Sequence, residues 1–216
     1  MTGMKRIHSF DEVFDAQKVF RLILTAVANP ARIVNIKPFA DKLYGDEPGM
    51  LAIAMTLLDN EVSFHVCGSG GLSEDIISLT LSKQENPEQA DYIFITEPGI
   101  LEAAIKTAKC GSLQDPHKSA TLIIKAEGNR GGNHLPGQGA CGETGDRDDE
   151  DKFCVLRLTG PGIGETAELS ASEPVRTALD IRDGQFYEYP QGIDMIFVSE
   201  DGSLFAVPRL IRKEVL

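Results

Sequence analysis

The residues of this chain that most invite a chemical reading are the glycines of LRLTGPGIGE, where an apolar run delivers the backbone into Gly160, Gly162 and Gly164. Glycines behind a strand can cradle phosphate when they open a helix, because the helix N-terminus supplies N–H groups and a favourable dipole. No helix start follows here: GETAELSAS reads as extended chain, and a helix signal waits until Ser172, Glu173 and Pro174. Glu165 and Glu168 stand close behind the glycines. Each carboxylate would oppose a phosphate by about 1 kcal/mol at contact distance in water. Gly160-Pro161-Gly162 is read instead as a type II turn, with proline setting the first central residue and glycine taking positive φ at the second.

A second cluster, CGSGGLSEDI, lies between an expected strand and an expected helix, which is the context for anion capture. It matches neither the phosphate loop nor the nucleophile elbow, so it is read as a βα connection, with an anion site as the alternative. His65 and Cys67 could pair on one strand face, and packing or edge exposure is the preferred account of them; His8 and His117 have no partner pattern. His134, Cys141, Asp146, Asp148, Asp149, Glu150 and Asp151 fall in a Gly-rich, acidic insertion over 127–152. Their spacings match neither a zinc module nor a calcium loop, so no metal is expected and the insertion is read as a mobile hairpin tip. No catalytic arrangement can be assembled from spacing. Arg21, Arg157 and Arg209 are the side chains suited to an anionic ligand or an interface, since guanidinium forks match phosphate and phosphonate oxygens. Ion pairing with the many carboxylates is the competing role for each.

The elements that must carry these residues can be read from periodicity. Ser9 and Glu12 form a capping-box signal, after which Phe10, Val13, Phe14, Phe20, Ile23, Leu24 and Val27 recur at helical spacing up to Asn29-Pro30. A short strand at IVNI, a helix at GMLAIAMTLLD and a strand at EVSFHVC follow. Next come a helix capped by Ser73, a strand at DYIFIT and a helix at GILEAAIKTAK that ends toward Gly111. This alternation predicts a largely parallel sheet between helices. Beyond it, TLIIKAE and FCVLRLT are strands flanking the insertion, PVRTALDI is a short helix, and GIDMIFV and SLFAVP form a hairpin about Glu200-Asp201-Gly202. The expected fold is a single α/β/α three-layer domain over 1–216, with antiparallel strands toward its C-terminal part.

Composition narrows the partners. A net charge of −12, from 21 basic and 33 acidic residues, repels the phosphate backbone of nucleic acid. The four cysteines show no C-x-x-C spacing and are read as reduced thiols in a cytoplasm. The N-terminal stretch lacks a signal-peptide core, and no apolar run reaches the roughly 18 residues of a membrane span.

Three stretches, FDAQKVFRLILTAVANPAR, LRLTGPGI and YPQGIDMIFVSEDGSLFAVPR, together resemble the H-subunit family of the bacterial carbon-phosphorus lyase system, PhnH. The resemblance runs from about Phe14 to Val215 and is interrupted by the insertion. It implies a subunit of a core complex formed with the G, I and J subunits. In that pathway a phosphonate displaces adenine from MgATP to give a ribose 1-phosphonate 5-triphosphate. It also implies a homodimer and a fold similar to the large domain of pyridoxal-phosphate transferases, without the cofactor. The family motif falls on Asp15, Gln17, Phe20 and Arg21; on Thr159, Gly160, Gly162 and Ile163; and on Pro190, Gly192, Asp194, Pro208 and Arg209. The motif assigns no catalytic role to any of them. Ala31 stands where the family is expected to have glycine. Two other readings compete. One is a stand-alone pyridoxal-phosphate transferase, for which Lys118 and Lys125 are the lysines suited by position; the other is a module that binds phosphonate or nucleotide.

Overall fold

The computed structural model describes residues 8–68, 70–126 and 153–216. The chain forms six α-helices among these residues: α1 (Phe14–Ala28), α2 (Lys37–Ala40), α3 (Pro48–Leu57), α4 (Gly70–Thr80), α5 (Leu101–Thr107) and α6 (Glu173–Asp183). The strands are β1 (Val34–Asn35), β2 (Ser63–Cys67), β3 (Lys83–Gln84), β4 (Tyr92–Ile95), β5 (Thr121–Ala126), β6 (Phe153–Thr159), β7 (Ala167–Ser172), β8 (Asp194–Ser199), β9 (Ser203–Val207) and β10 (Arg212–Val215).

Seven strands make one mixed sheet in the order β1-β9-β8-β5-β4-β2-β3. β8, β5, β4, β2 and β3 run parallel, and β9 returns antiparallel from β8 as expected of a hairpin. Gly202 takes φ +78° in that hairpin turn, and a Cβ there would stand 2.4 Å from the Lys37 backbone nitrogen. The central strands are buried on both faces, which is why they read as unbroken apolar runs. Ile93 and Ile95 join a core with Leu101, Ile105, Val175 and Leu179 of α5 and α6. Phe94 faces the other way, onto Val19 and Ile23 of α1, Ile53 of α3 and Ile76 of α4. Helices therefore cover both faces of a mostly parallel sheet, and the α/β expectation holds at that level.

β6, β7 and β10 depart from expectation. They form a separate antiparallel sheet in the order β10-β6-β7, whose Leu156, Leu158, Leu169 and Ala171 pack into the core shared with α5 and α6. β5 and β6 are consequently not the arms of a hairpin. The reason is geometric: β4 and β8 already occupy both edges of β5, leaving no backbone groups for a further strand. The insertion at 127–152 itself lies outside the described residues.

Several helix boundaries also differ. Asp11, not Ser9, caps α1: its Oδ1 accepts the Val13 and Phe14 N–H groups at 2.9 and 2.7 Å, and Asp15 Oδ2 accepts the Asp11 N–H at 2.9 Å. The reciprocal pair is thus Asp11 and Asp15 in place of Ser9 and Glu12. α4 begins at Gly70, so Ser73 lies inside it and does not cap it. α5 stops at Thr107, and Gly111, at φ +78°, instead clears the Pro116 carbonyl in the following turn.

Candidate functional site

In a parallel α/β sheet, ligands collect at the carboxyl ends of the strands, where connections leave in opposite directions. Here that point lies between β2 and β4: β2 leads through α4 to β3 at one edge, while β4 leads through α5 to β5 on the other side. The second glycine cluster sits there, but it is closed against its neighbour. A Cβ on Gly68, which has φ +119°, would lie 2.1 Å from Thr96 Oγ1 and 3.4 Å from Glu97 Oε1. Burial pushes the Cys67 thiol up, away from a reactive thiolate, and His65 Nδ1 is engaged with the Glu85 carbonyl at 2.7 Å. The pair therefore packs and makes backbone contacts as the sequence suggested.

Next to this point a cavity of about 390 Å³ opens between β5, β8 and the start of α3, lined by Lys37, Asp41, Asp46, Glu47, Lys125 and Glu200. The Lys125 ammonium donates to Glu47 Oε1 at 2.7 Å and pairs with Glu200 Oε1 at 3.1 Å. Burial alone would lower its pKa, but the two carboxylates win and hold it above the ordinary lysine range. An amine fixed in its charged form between two acids is the reverse of a Schiff-base lysine, which must shed its proton. Lys118 is an exposed turn residue paired with Asp115 at 2.9 Å. Among the described residues, no group of three or more His, Cys, Asp or Glu could hold a metal ion. His134, Cys141 and the acidic run of the insertion lie outside them.

The three motif stretches converge at the opposite end of the sheet. Gly160 to Ile163 is a type II turn: the Ile163 N–H donates to the Gly160 carbonyl at 3.1 Å, with Pro161 first and Gly162 at φ +87° second. The turn is wedged between the other two motifs. A Cβ on Gly162 would stand 2.6 Å from the Ala28 carbonyl at the end of α1, and one on Gly160 would stand 2.8 Å from the Leu210 carbonyl. Carbonyl oxygens face both glycines, an environment that repels phosphate. Thr159 precedes the turn at the end of β6, opposite Arg212.

The third stretch is tied down by Arg209. Asp194 Oδ1 accepts the Arg209 N–H at 2.8 Å and its Nε–H at 3.2 Å, while Nη2 pairs with Asp194 Oδ2 and Nη1 donates to the Pro116 carbonyl. Gly192 gives this guanidinium stem room, since a Cβ there would meet Arg209 Cβ at 2.9 Å, and its N–H donates to the Cys110 carbonyl at 3.0 Å. Pro190, which follows a cis peptide, joins Pro116, Pro161, Pro208, Leu210 and Ile211 around a shallow apolar depression of about 370 Å³.

One residue at this end escaped the sequence reading. Arg182 of α6 is only 3% exposed, and it donates to the carbonyls of Val207, Pro208 and Ile211 at 3.2, 3.3 and 2.8 Å, and to Asp183 at 3.0 Å. It fixes the turn that carries Arg209. An arginine in the last turn of a helix reads from sequence as a solvated dipole partner, and no local signal marks this one as buried.

The first stretch divides between two roles. Asp15 is buried and receives the Lys42 ammonium at 2.7 Å; the Asp11 N–H and then Lys42 hold its carboxyl below the usual carboxylate range. Gln17, Phe20 and Arg21 are exposed on the outer side of α1. Arg157 lies between Glu214 of β10 and Glu168 of β7 in the strand register. The three candidate arginines thus stand on different elements: Arg21 on α1, Arg157 on β6 and Arg209 in the segment after β9.

Fold and site define a mixed α/β domain whose distinctive residues brace three chain segments at one end of a sheet. Comparison with known proteins gives the family. The profile of the bacterial phosphonate metabolism protein PhnH matches residues 8–214, and the chain belongs to that family. It is 28% identical over 183 residues, covering 85% of this chain and 78% of the relative, to the putative C-P lyase subunit protein HtxG of Stutzerimonas stutzeri. It is 24% identical over 225 residues, covering 99% of both chains, to the alpha-D-ribose 1-methylphosphonate 5-triphosphate synthase subunit PhnH of Rhizobium meliloti (strain 1021).

Proposed function

We propose that this chain is a subunit of a carbon-phosphorus lyase core complex and supports formation of ribose 1-phosphonate 5-triphosphate from MgATP and a phosphonate, without catalysing a reaction alone. The observation that carries the reading is the end-to-end match to a relative named as a synthase subunit. The partners are the G, I and J subunits, the chain itself pairs as a homodimer, and the assembly works in the cytoplasm. The layered sheet, similar to the large domain of pyridoxal-phosphate transferases, acts here as a scaffold.

The site geometry supports this over a stand-alone transferase. Lys125 is clamped by Glu47 and Glu200, and Arg209 is committed to Asp194 and the Pro116 carbonyl, so both serve the chain's own structure. Of the three candidate arginines, Arg21 is the one whose position suits a partner.

The test is co-expression of the tagged chain with the G, I and J subunits of the same genome, followed by size exclusion with light scattering and an assay for the triphosphate product. The expected result is one stoichiometric assembly that loses product formation when the chain is left out. A complex that assembles and works without it would overturn the reading. So would a yellow isolated chain with a borohydride-trappable lysine adduct, or tight calorimetric binding of ATP or an alkylphosphonate to the chain alone.

A further inference from the structure

We draw no further inference here: the strongest candidate, the exposed apolar face of α1 formed by Val13, Phe20, Leu24 and Val27 with the cavity of about 210 Å³ at its flank, carries nothing because nothing in the structure shows what covers it.

Discussion

The two ends of the central sheet use charge in opposite ways. At the carboxyl ends of β5 and β8, a single ammonium, Lys125, is held between Glu47 and Glu200 beside a polar cavity. At the other end, Arg182 and Arg209 direct their guanidinium groups at backbone carbonyls and at Asp183 and Asp194. The first end has the location of a ligand site but acidic chemistry that repels anions. The second has cations with the forked geometry of anion binders, and they are consumed in joining segments distant in sequence. Motif residues at this end therefore hold segments of the chain's own fold together.

The difference between the ends can be broken most severely at Arg182. Arg182→Ala removes a buried charge and strands three carbonyls, so it is expected to cost about 4 kcal/mol, read from the shift in urea midpoint at constant slope. A loss below about 1 kcal/mol would mean that the turn is held by its other contacts. Glycines give a finer comparison within one loop. Gly162→Ala must place a Cβ 2.6 Å from the Ala28 carbonyl at positive φ, whereas Gly164 has nothing within 4 Å. The expected costs are about 2 kcal/mol for Gly162→Ala and near zero for Gly164→Ala.

Asp15 adds a pH signature to the brace. Its carboxyl is held below the ordinary value of 3.8 by the Asp11 N–H and by Lys42, so the native state favours the ionised form. That contribution is complete above the unfolded value and is lost as pH falls through the lower folded one. Asp15→Asn is expected to cost about 2 kcal/mol at neutral pH, with the gap to wild type closing below pH 3.8. Denaturation series at several pH values check it, and a gap that stays constant into acid would show that the charge is not what matters. At the other end the sign reverses. The Lys125 pKa is raised, so its contribution is present below the ordinary value of 10.5 and is lost as pH rises through the folded one. Lys125→Met is expected to cost about 1 kcal/mol at neutral pH and to leave assembly with partners intact.

What could be read in advance follows from how local each signal is. The type II turn at Gly160-Pro161-Gly162-Ile163 was legible because proline and glycine dictate their own dihedral angles. The parallel strands were legible because burial on both faces leaves unbroken apolar runs such as YIFI and LIIK. The separate sheet was not, because pairing of β6 with β7 and β10 depends on which edges of β5 are free, a fact about other strands. Ser9 reads as the cap because Glu12 stands three residues on, whereas Phe14 stands three residues past Asp11; the cap falls to Asp11 because Asp15, four residues on, closes the reciprocal pair. On α1, Phe20, Leu24 and Val27 were grouped with Ile23 as one apolar face, since periodicity cannot say which of two seams is buried. The convergence of Asp194, Arg209 and the glycine turn was visible only as a list of motif positions until the fold brought them together.

The smallest expected change in stability is also the most discriminating. Leu24 is 54% exposed and glutamate is nearly as good a helix former, so Leu24→Glu removes little packing and strains no backbone. Its unfolding free energy is expected to stay within about 0.5 kcal/mol of wild type, as for other surface positions. Val19→Ala on the opposite seam, where the side chain is fully buried, is expected to cost about 2 kcal/mol by leaving a cavity. If the seam of Val19 serves the fold and that of Leu24 does not, the two substitutions must separate: one leaves stability near wild type, the other lowers it. A Leu24→Glu chain destabilised as much as Val19→Ala would place both seams in the fold's own packing.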